Sequence, residues 1–249
     1  MEQESNIPLT TRSVLASALL GMDPPELPVA QLVRLAGLFG FSENRARVAL
    51  SRMLAAGEAT TDGTGVYRLA GHLAERRFRQ SASRSGITAP YAGRWYLVVV
   101  TTAGSTAEVR SARRRTLTHA RLAALREGVW MRPDNVEVKL PDDQLADLEV
   151  MTAHPADPAR LVDALWDLRG WSNRARLLLG RMDRLTPEGR YALAPDFELS
   201  AAVLRHLQAD PLLPDVLLPE FWPGALLRTA YDRWDAQYRV TLREWSRTA

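Results

Sequence analysis

Six side chains that lie close together in the sequence, Asn44, Arg45, Arg47, Val48, Ser51 and Arg52, are of the types that read a DNA duplex. A guanidinium forks onto guanine O6 and N7, an asparagine amide pairs with adenine, and a small apolar side chain can touch a thymine methyl. Ser51 suits a phosphate, or a base reached through water. Residues three and four apart share one face of a helix, so Asn44, Arg47, Val48, Ser51 and Arg52 can lie together along a major groove. The same pattern also fits an ordinary solvated helix face, and the flanking elements favour the reading helix. Ala46, Ala49, Leu50, Met53 and Leu54 form an apolar stripe on the other side, between an N-cap at Ser42 and a stop at Gly57. An amphipathic segment over 28–38 precedes it and ends at Gly40, as a left-handed C-cap does. Two such helices joined by a tight turn make a helix-turn-helix. Residues 58–61, 62–65 and 66–69 then read as strand, turn and strand, a wing whose Thr64 and Arg68, with Ser42 at the head of the reading helix, complete the candidate DNA contacts. A further helix is expected over 10–20.

Catalytic chemistry finds little support. The 4 histidines, His72, His119, His154 and His206, lie in separate elements and lack metal-binding spacing. Cysteine is absent, which removes disulfides, thiolate zinc sites and thiol nucleophiles together. There is no Gly-x-Ser-x-Gly elbow and no phosphate-binding loop. Asp142/Asp143, Asp163/Asp167 and Asp183 read as turn, cap and surface residues. No enzyme, cofactor or metal is expected.

The chain of 249 residues carries a net charge of only +3, but Lys139 is its single lysine, so nearly every cation is a guanidinium. That suits phosphate recognition, and equally reflects an arginine-rich codon usage. Arg76, Arg77, Arg79 and Arg84 crowd a segment over 74–85 that reads either as a phosphate-contacting helix or as a solvated connector. Residues 1–9 are polar and acidic, unlike a signal peptide, and no apolar run, that over 97–100 included, is long enough to cross a bilayer. A cytoplasmic location away from membranes is expected.

The chain divides into an expected winged helix-turn-helix over 1–86, a second domain over 87–154 and a helical third over 155–249. In the second, Trp95–Val100 reads as a strand, 106–126 as a helix, and 128–132 and 136–140 as strands. A short helix over 142–148 and a last strand over 149–153 complete a βαββαβ order, the ferredoxin-like arrangement. The fold class is therefore α+β. All 7 tryptophans fall outside the first domain; they serve as core or interface anchors, or as walls of a ligand pocket beside arginines.

These features together resemble the PaaX family of bacterial transcriptional repressors. The resemblance rests on Arg12-Ser13, on the run from Gly40 to Met53 with Val48-Ala49-Leu50-Ser51-Arg52 at its centre, and on Trp95-Tyr96-Leu97 and the run from Gly128 to Pro133. In the C-terminal part it rests on Leu165-Trp166-Asp167-Leu168, the run from Asp210 to Pro214, Leu217-Leu218-Pro219 and Trp222-Pro223-Gly224. It implies a Cas2-like second domain, a homodimer on a double-stranded operator, and repression of a catabolic operon relieved by an aryl- or acyl-CoA thioester. Arg113, Arg114, Arg115, Trp130, Trp166, Arg174 and Arg176 are the candidate effector contacts. Many relatives carry an Asp soon after the first strand of the middle domain, which corresponds to a metal-ligand position of the Cas2-like fold. Here Thr101-Thr102-Ala103 stands instead, which disfavours the rival reading, a metal-dependent nucleic-acid-processing enzyme. A third reading is a scaffold whose winged helix binds protein.

Overall fold

The first helix starts where a capping box dictates. In the computed structural model, which describes residues 10–22, 24–74, 83–86, 88–102, 104–185 and 193–247, Thr10 caps α1 (Thr11–Gly21). The Thr10 hydroxyl accepts from the Ser13 amide and the Ser13 hydroxyl accepts from the Thr10 amide. Then come β1 (Glu26–Pro28), α2 (Val29–Leu38), α3 (Glu43–Ala55), β2 (Ala59–Thr61) and β3 (Val66–Leu69). The three helices bury Leu15, Leu19, Leu32, Leu50 and Met53 almost completely. Each such side chain contributes about 1.5–3 kcal/mol of burial, so this small core is what orients α3.

Among the described residues β3 is the centre of a three-stranded antiparallel sheet ordered β1-β3-β2. The wing hairpin β2–β3 was legible in the sequence; β1 was not. It has three residues, follows two prolines, and becomes a strand only by pairing Glu26, Leu27 and Pro28 with Arg68, Tyr67 and Val66. Past the wing the chain returns so closely that a Cβ on Gly71 would lie 2.5 Å from the Gly57 carbonyl oxygen, so only glycine fits.

Two compact units account for the chain. The first holds residues 1–85, 175–208 and 225–249, the second residues 86–174 and 209–224. In the first unit, α8 (Leu193–Gln208) meets the end of α2 through an edge-to-face pair, Phe39 and Phe197, with centroids 5.1 Å apart. Within α9 (Gly224–Arg247), Trp234 stacks on Tyr238 at 4.7 Å.

The second unit is built on β4 (Trp95–Val100), α4 (Ala107–His119), β5 (Ala123–Arg126), β6 (Val129–Pro133), α5 (Asp142–Leu145) and β7 (Leu148–Ala153). The sheet order β5-β6-β4-β7 with antiparallel neighbours is the ferredoxin-like arrangement. One expected strand moved, however. The helix expected over 106–126 ends at His119, and 123–126 is β5. Arg121 has φ 61°, and the Leu122 amide donates to the Leu117 carbonyl at 3.0 Å. That is a left-handed helix end without the glycine that usually announces it. Residues 136–140 form no strand, because β6 already has β4 on one edge and β5 on the other; Val138 and Leu140 instead pack on the core.

Both faces of this sheet are covered. Val98 and Trp130 pack with Leu117, Leu122 and Leu148 on one side. Trp95 and Met131 pack with Val162, Leu168 and Leu213 on the other. The latter come from α6 (Pro158–Leu165), the start of α7 (Leu168–Met182) and the segment after α8. The break between α6 and α7, at Trp166 and Asp167, was not foreseen.

Buried Arg132 locks that last segment. It is 0% exposed and donates to the carbonyls of Pro133, Arg121, Pro211 and Leu212 and to Asn135 Oδ1. Burial, with Arg121 nearby, pushes its guanidinium down to about 9, still charged at neutral pH.

Candidate nucleic-acid interface

Helix α3 divides cleanly between a packed and an open face. Ala46, Ala49, Leu50 and Met53 are buried, whereas Asn44, Arg45, Arg47, Val48, Ser51 and Arg52 are all exposed. Ser42 caps the helix by accepting from the Arg45 amide. Val48, 42% exposed, is an apolar side chain left in water between two arginines. Arg45 lies over the Phe41 ring at 5.8 Å, which holds it back toward the start of the helix. Arg47 is paired with Glu43 one turn earlier, Nη2 to Oε1 at 2.7 Å, with both side chains more than half exposed. That pair restrains Arg47 weakly and is readily exchanged for another acceptor.

The wing is more tightly held. At its tip the Thr64 hydroxyl and amide both donate to Asp62 Oδ1, at 2.7 and 2.9 Å, and together hold that carboxyl down at about 2. Arg68 bridges Glu26 at 2.6 Å and Asp62 at 3.3 Å, so it ties the wing to β1. Thr64 and Arg68 are both exposed, but their polar atoms already have partners. Arg84 is turned inward: it pairs with Asp232 at 2.7 Å and Asp235 at 3.0 Å and covers the Tyr231 ring at 5.0 Å. It acts as an internal tie, the sense of the connector reading rather than the phosphate-contacting one. Arg76, Arg77 and Arg79 lie outside the described residues.

In the second unit the structure brings together Arg113, Arg114 and Trp130 of the seven candidate effector residues. They line one cavity of about 830 Å³, bounded by α4, the loop before it and the β5–β6 turn. Arg113 is buried and bonded to Asp147 Oδ2 at 2.9 Å and Thr102 Oγ1 at 3.2 Å. Trp130 is both core and cavity wall. Arg115 is exposed and does not line the cavity. Trp166 packs on the Trp95 ring at 6.2 Å, beside a shallow groove with Asp163 and Arg169. Arg174 and Arg176 lie on α7 and do not line the cavity either. The residues that sequence reasoning missed are Arg110 and Arg126, which also line it. Arg110 is one helical turn from Arg114 and was legible in principle; Arg126 was hidden by the misplaced helix end.

Among the described residues no three or more His, Asp or Glu side chains converge as a metal ion would need, and no helix is long and apolar enough to cross a membrane.

Comparison with known families gives two matches, to the PaaX-like protein family over residues 10–73 and to the PaaX protein central Cas2-like domain over 88–154. A solved structure, the uncharacterized protein Rv0674 from Mycobacterium tuberculosis, is 40% identical with a TM-score of 0.77, covering 95% of this chain and 100% of its own. The chain belongs to the PaaX family. No curated protein matches it. As a PaaX-family member it is a transcriptional regulator, and that type of regulator binds DNA.

Membership also gives one family motif a physical account. Arg12, in the Arg12-Ser13 pair of α1, donates from Nε to Glu58 Oε2 at 2.8 Å and from Nη2 to Oε1. Glu58 is only 4% exposed and begins the wing. The Arg12 hydrogen bond holds its carboxyl below the usual range against the opposing cost of burial. Ser13 completes the capping box. Arg12 thus fastens the first helix to the base of the wing, while Ser13 sets where that helix begins.

Proposed function

We propose that this PaaX-family protein is a dimeric repressor of a catabolic operon, which reads its operator with α3 and leaves it on binding an aryl- or acyl-CoA thioester. The observation that carries the DNA-reading part is the open face of α3. Asn44, Arg47, Val48, Ser51 and Arg52 are exposed together on a helix whose other side is anchored in the core. Two copies of that face, one per protomer, fit successive major grooves about 34 Å apart on a pseudo-palindromic site. Ser42 and Arg45 at the head of the helix, with Thr64 on the wing, suit the flanking backbone. Arg68 serves there as a strut, since Glu26 and Asp62 neutralise it.

The dimer and the thioester rest on the resemblance. A thioester releases DNA only if it binds the DNA-free arrangement more tightly than the bound one, because equal affinity shifts nothing. The test is a gel-shift and footprint on the DNA upstream of the gene, repeated with a panel of acyl- and aryl-CoA thioesters, with sedimentation to count protomers. A protected palindrome lost on addition of one thioester supports the reading. Binding without sequence preference, or divalent-metal-dependent cleavage of the probe, overturns it.

A further inference from the structure

The cavity of the second unit carries more positive charge than its own residues neutralise. Arg110, Arg113 and Arg114 enter it from α4, and Arg126 enters from the end of β5. Arg113 is accounted for by Asp147 and Thr102. Arg110 spends one N–H on the Ser105 carbonyl at 2.6 Å, which fixes its head at the cavity mouth and leaves its other donors available. Arg114 and Arg126 are exposed, and among the described residues neither makes an ion pair. Against these three guanidiniums the cavity lining offers one carboxylate, Glu127.

The backbone builds this arrangement. Arg110 and Arg114 are four residues apart and so lie on one face of α4. Opposite them a β-bulge between Ala124 and Arg126 puts an extra residue into β5, and both Ala124 and Arg126 end at the cavity wall. Bulges commonly serve to re-aim a side chain beside a site. Val100, Ala124 and Trp130 supply an apolar wall, and Thr102, Ser105 and Ser111 supply hydroxyls.

We propose that Arg110, Arg114 and Arg126 bind the phosphate groups of a small phosphorylated ligand, whose apolar body lies against Trp130. A single carboxylate would occupy one guanidinium fork and leave excess positive charge. A di- or polyphosphate presents enough anionic oxygens for donors arriving from two sides. The volume of about 830 Å³ is that of a ligand pocket, and a concave site with an aromatic wall favours a small molecule over a duplex. Arg113 is a positioning residue: it ties α4 to the loop after β4 and to Asp147. This deepens the effector reading and rests on it only for the ligand's effect on DNA.

Calorimetric titration of the full chain with inorganic tripolyphosphate tests the site. Arg114→Ala and Arg126→Ala should each weaken binding by about tenfold or more, as loss of a charge-assisted contact does. Arg115→Ala, a neighbouring exposed arginine outside the cavity, should leave binding unchanged, and Glu127→Gln should tighten it. Melting curves of the exposed-site variants should match the parent. Equal weakening by all three arginine variants would mean diffuse attraction and overturn the site, as would no effect from Arg114→Ala and Arg126→Ala. Loss of non-specific duplex binding in those two variants would make the groove a nucleic-acid surface instead. A thioester that still releases DNA from both variants overturns this site and spares the effector reading. Arginine-dependent tripolyphosphate binding with no thioester effect on DNA does the reverse.

Discussion

Replacing Arg47 and Arg52 by Ala tests the reading face most directly. Both side chains are exposed and neither supports the core, so the variant should fold with stability within about 0.5 kcal/mol of the parent. A bidentate arginine–guanine contact discriminates by about 1–3 kcal/mol, so two of them carry about 2–6 kcal/mol in each protomer. Engaging DNA requires Arg47 to leave Glu43, and an exposed pair one turn apart is worth about 0.3–0.5 kcal/mol. The net loss is about 1.5–5.5 kcal/mol in each protomer and about twice that for a dimer with both reading helices engaged, a fall of more than about a hundredfold in operator affinity. Fluorescence anisotropy should be run on the operator and on a scrambled duplex across a salt series. Base contacts predict a large operator loss, a small scrambled-duplex loss and a salt slope nearly unchanged. Phosphate contacts predict equal losses on both duplexes and a slope shallower by about 0.9 per arginine. Unchanged operator affinity in a folded double variant would refute the assignment of α3.

Three other perturbations follow from particular contacts. Glu43→Gln frees Arg47 and removes an anion beside the groove, so operator affinity should rise severalfold in the same anisotropy assay; a fall would mean that Glu43 positions Arg47 productively. Glu58 titrates below its unfolded value of 4.5, so the stability it contributes is complete above that pH and is lost as pH falls through the folded value. Urea melts of Glu58→Gln should therefore show lower stability at neutral pH and a flatter decline below pH 4.5; parallel profiles for variant and parent would remove the Arg12–Glu58 tie from the account. Asn135→Ala strips buried Arg132 of a side-chain acceptor, and Leu212 O of a donor at 2.8 Å. It should cost about 2–3 kcal/mol by urea melt, with faster proteolysis between 209 and 224 if that segment is released.

The legible parts of this protein are those whose cause lies within a few residues. Ser42 could be read as a cap because its partner is the amide of Arg45, three positions on. The buried stripe of α3 follows from a period of 3.6, and the wing from glycines at 63 and 65 with φ of 82° and 90°. The end of α4 was misread because Arg121 takes a left-handed conformation that its side chain does not advertise, in an alanine- and leucine-rich stretch that favours helix on its own. Asn135 looked like an ordinary turn residue, and its role in fastening Arg132 needs a carbonyl 77 positions away.

The sequence alone therefore determined the exposed face of α3, the helix-turn-helix and wing that present it, and, with one strand misplaced, the βαββαβ order of the second unit. Each depends on local periodicity, capping and turn chemistry. Tertiary structure decided what the arginines do, because one side chain type serves every role and its role is set by what it meets. Arg84 meets Asp232 148 positions away, Arg68 meets Glu26 at 42, and Arg113 meets Asp147 at 34. These are spent on internal ties. Arg52 on α3, and Arg114 and Arg126 at the cavity, meet no carboxylate among the described residues. Charge without an internal partner is what remains to bind something else.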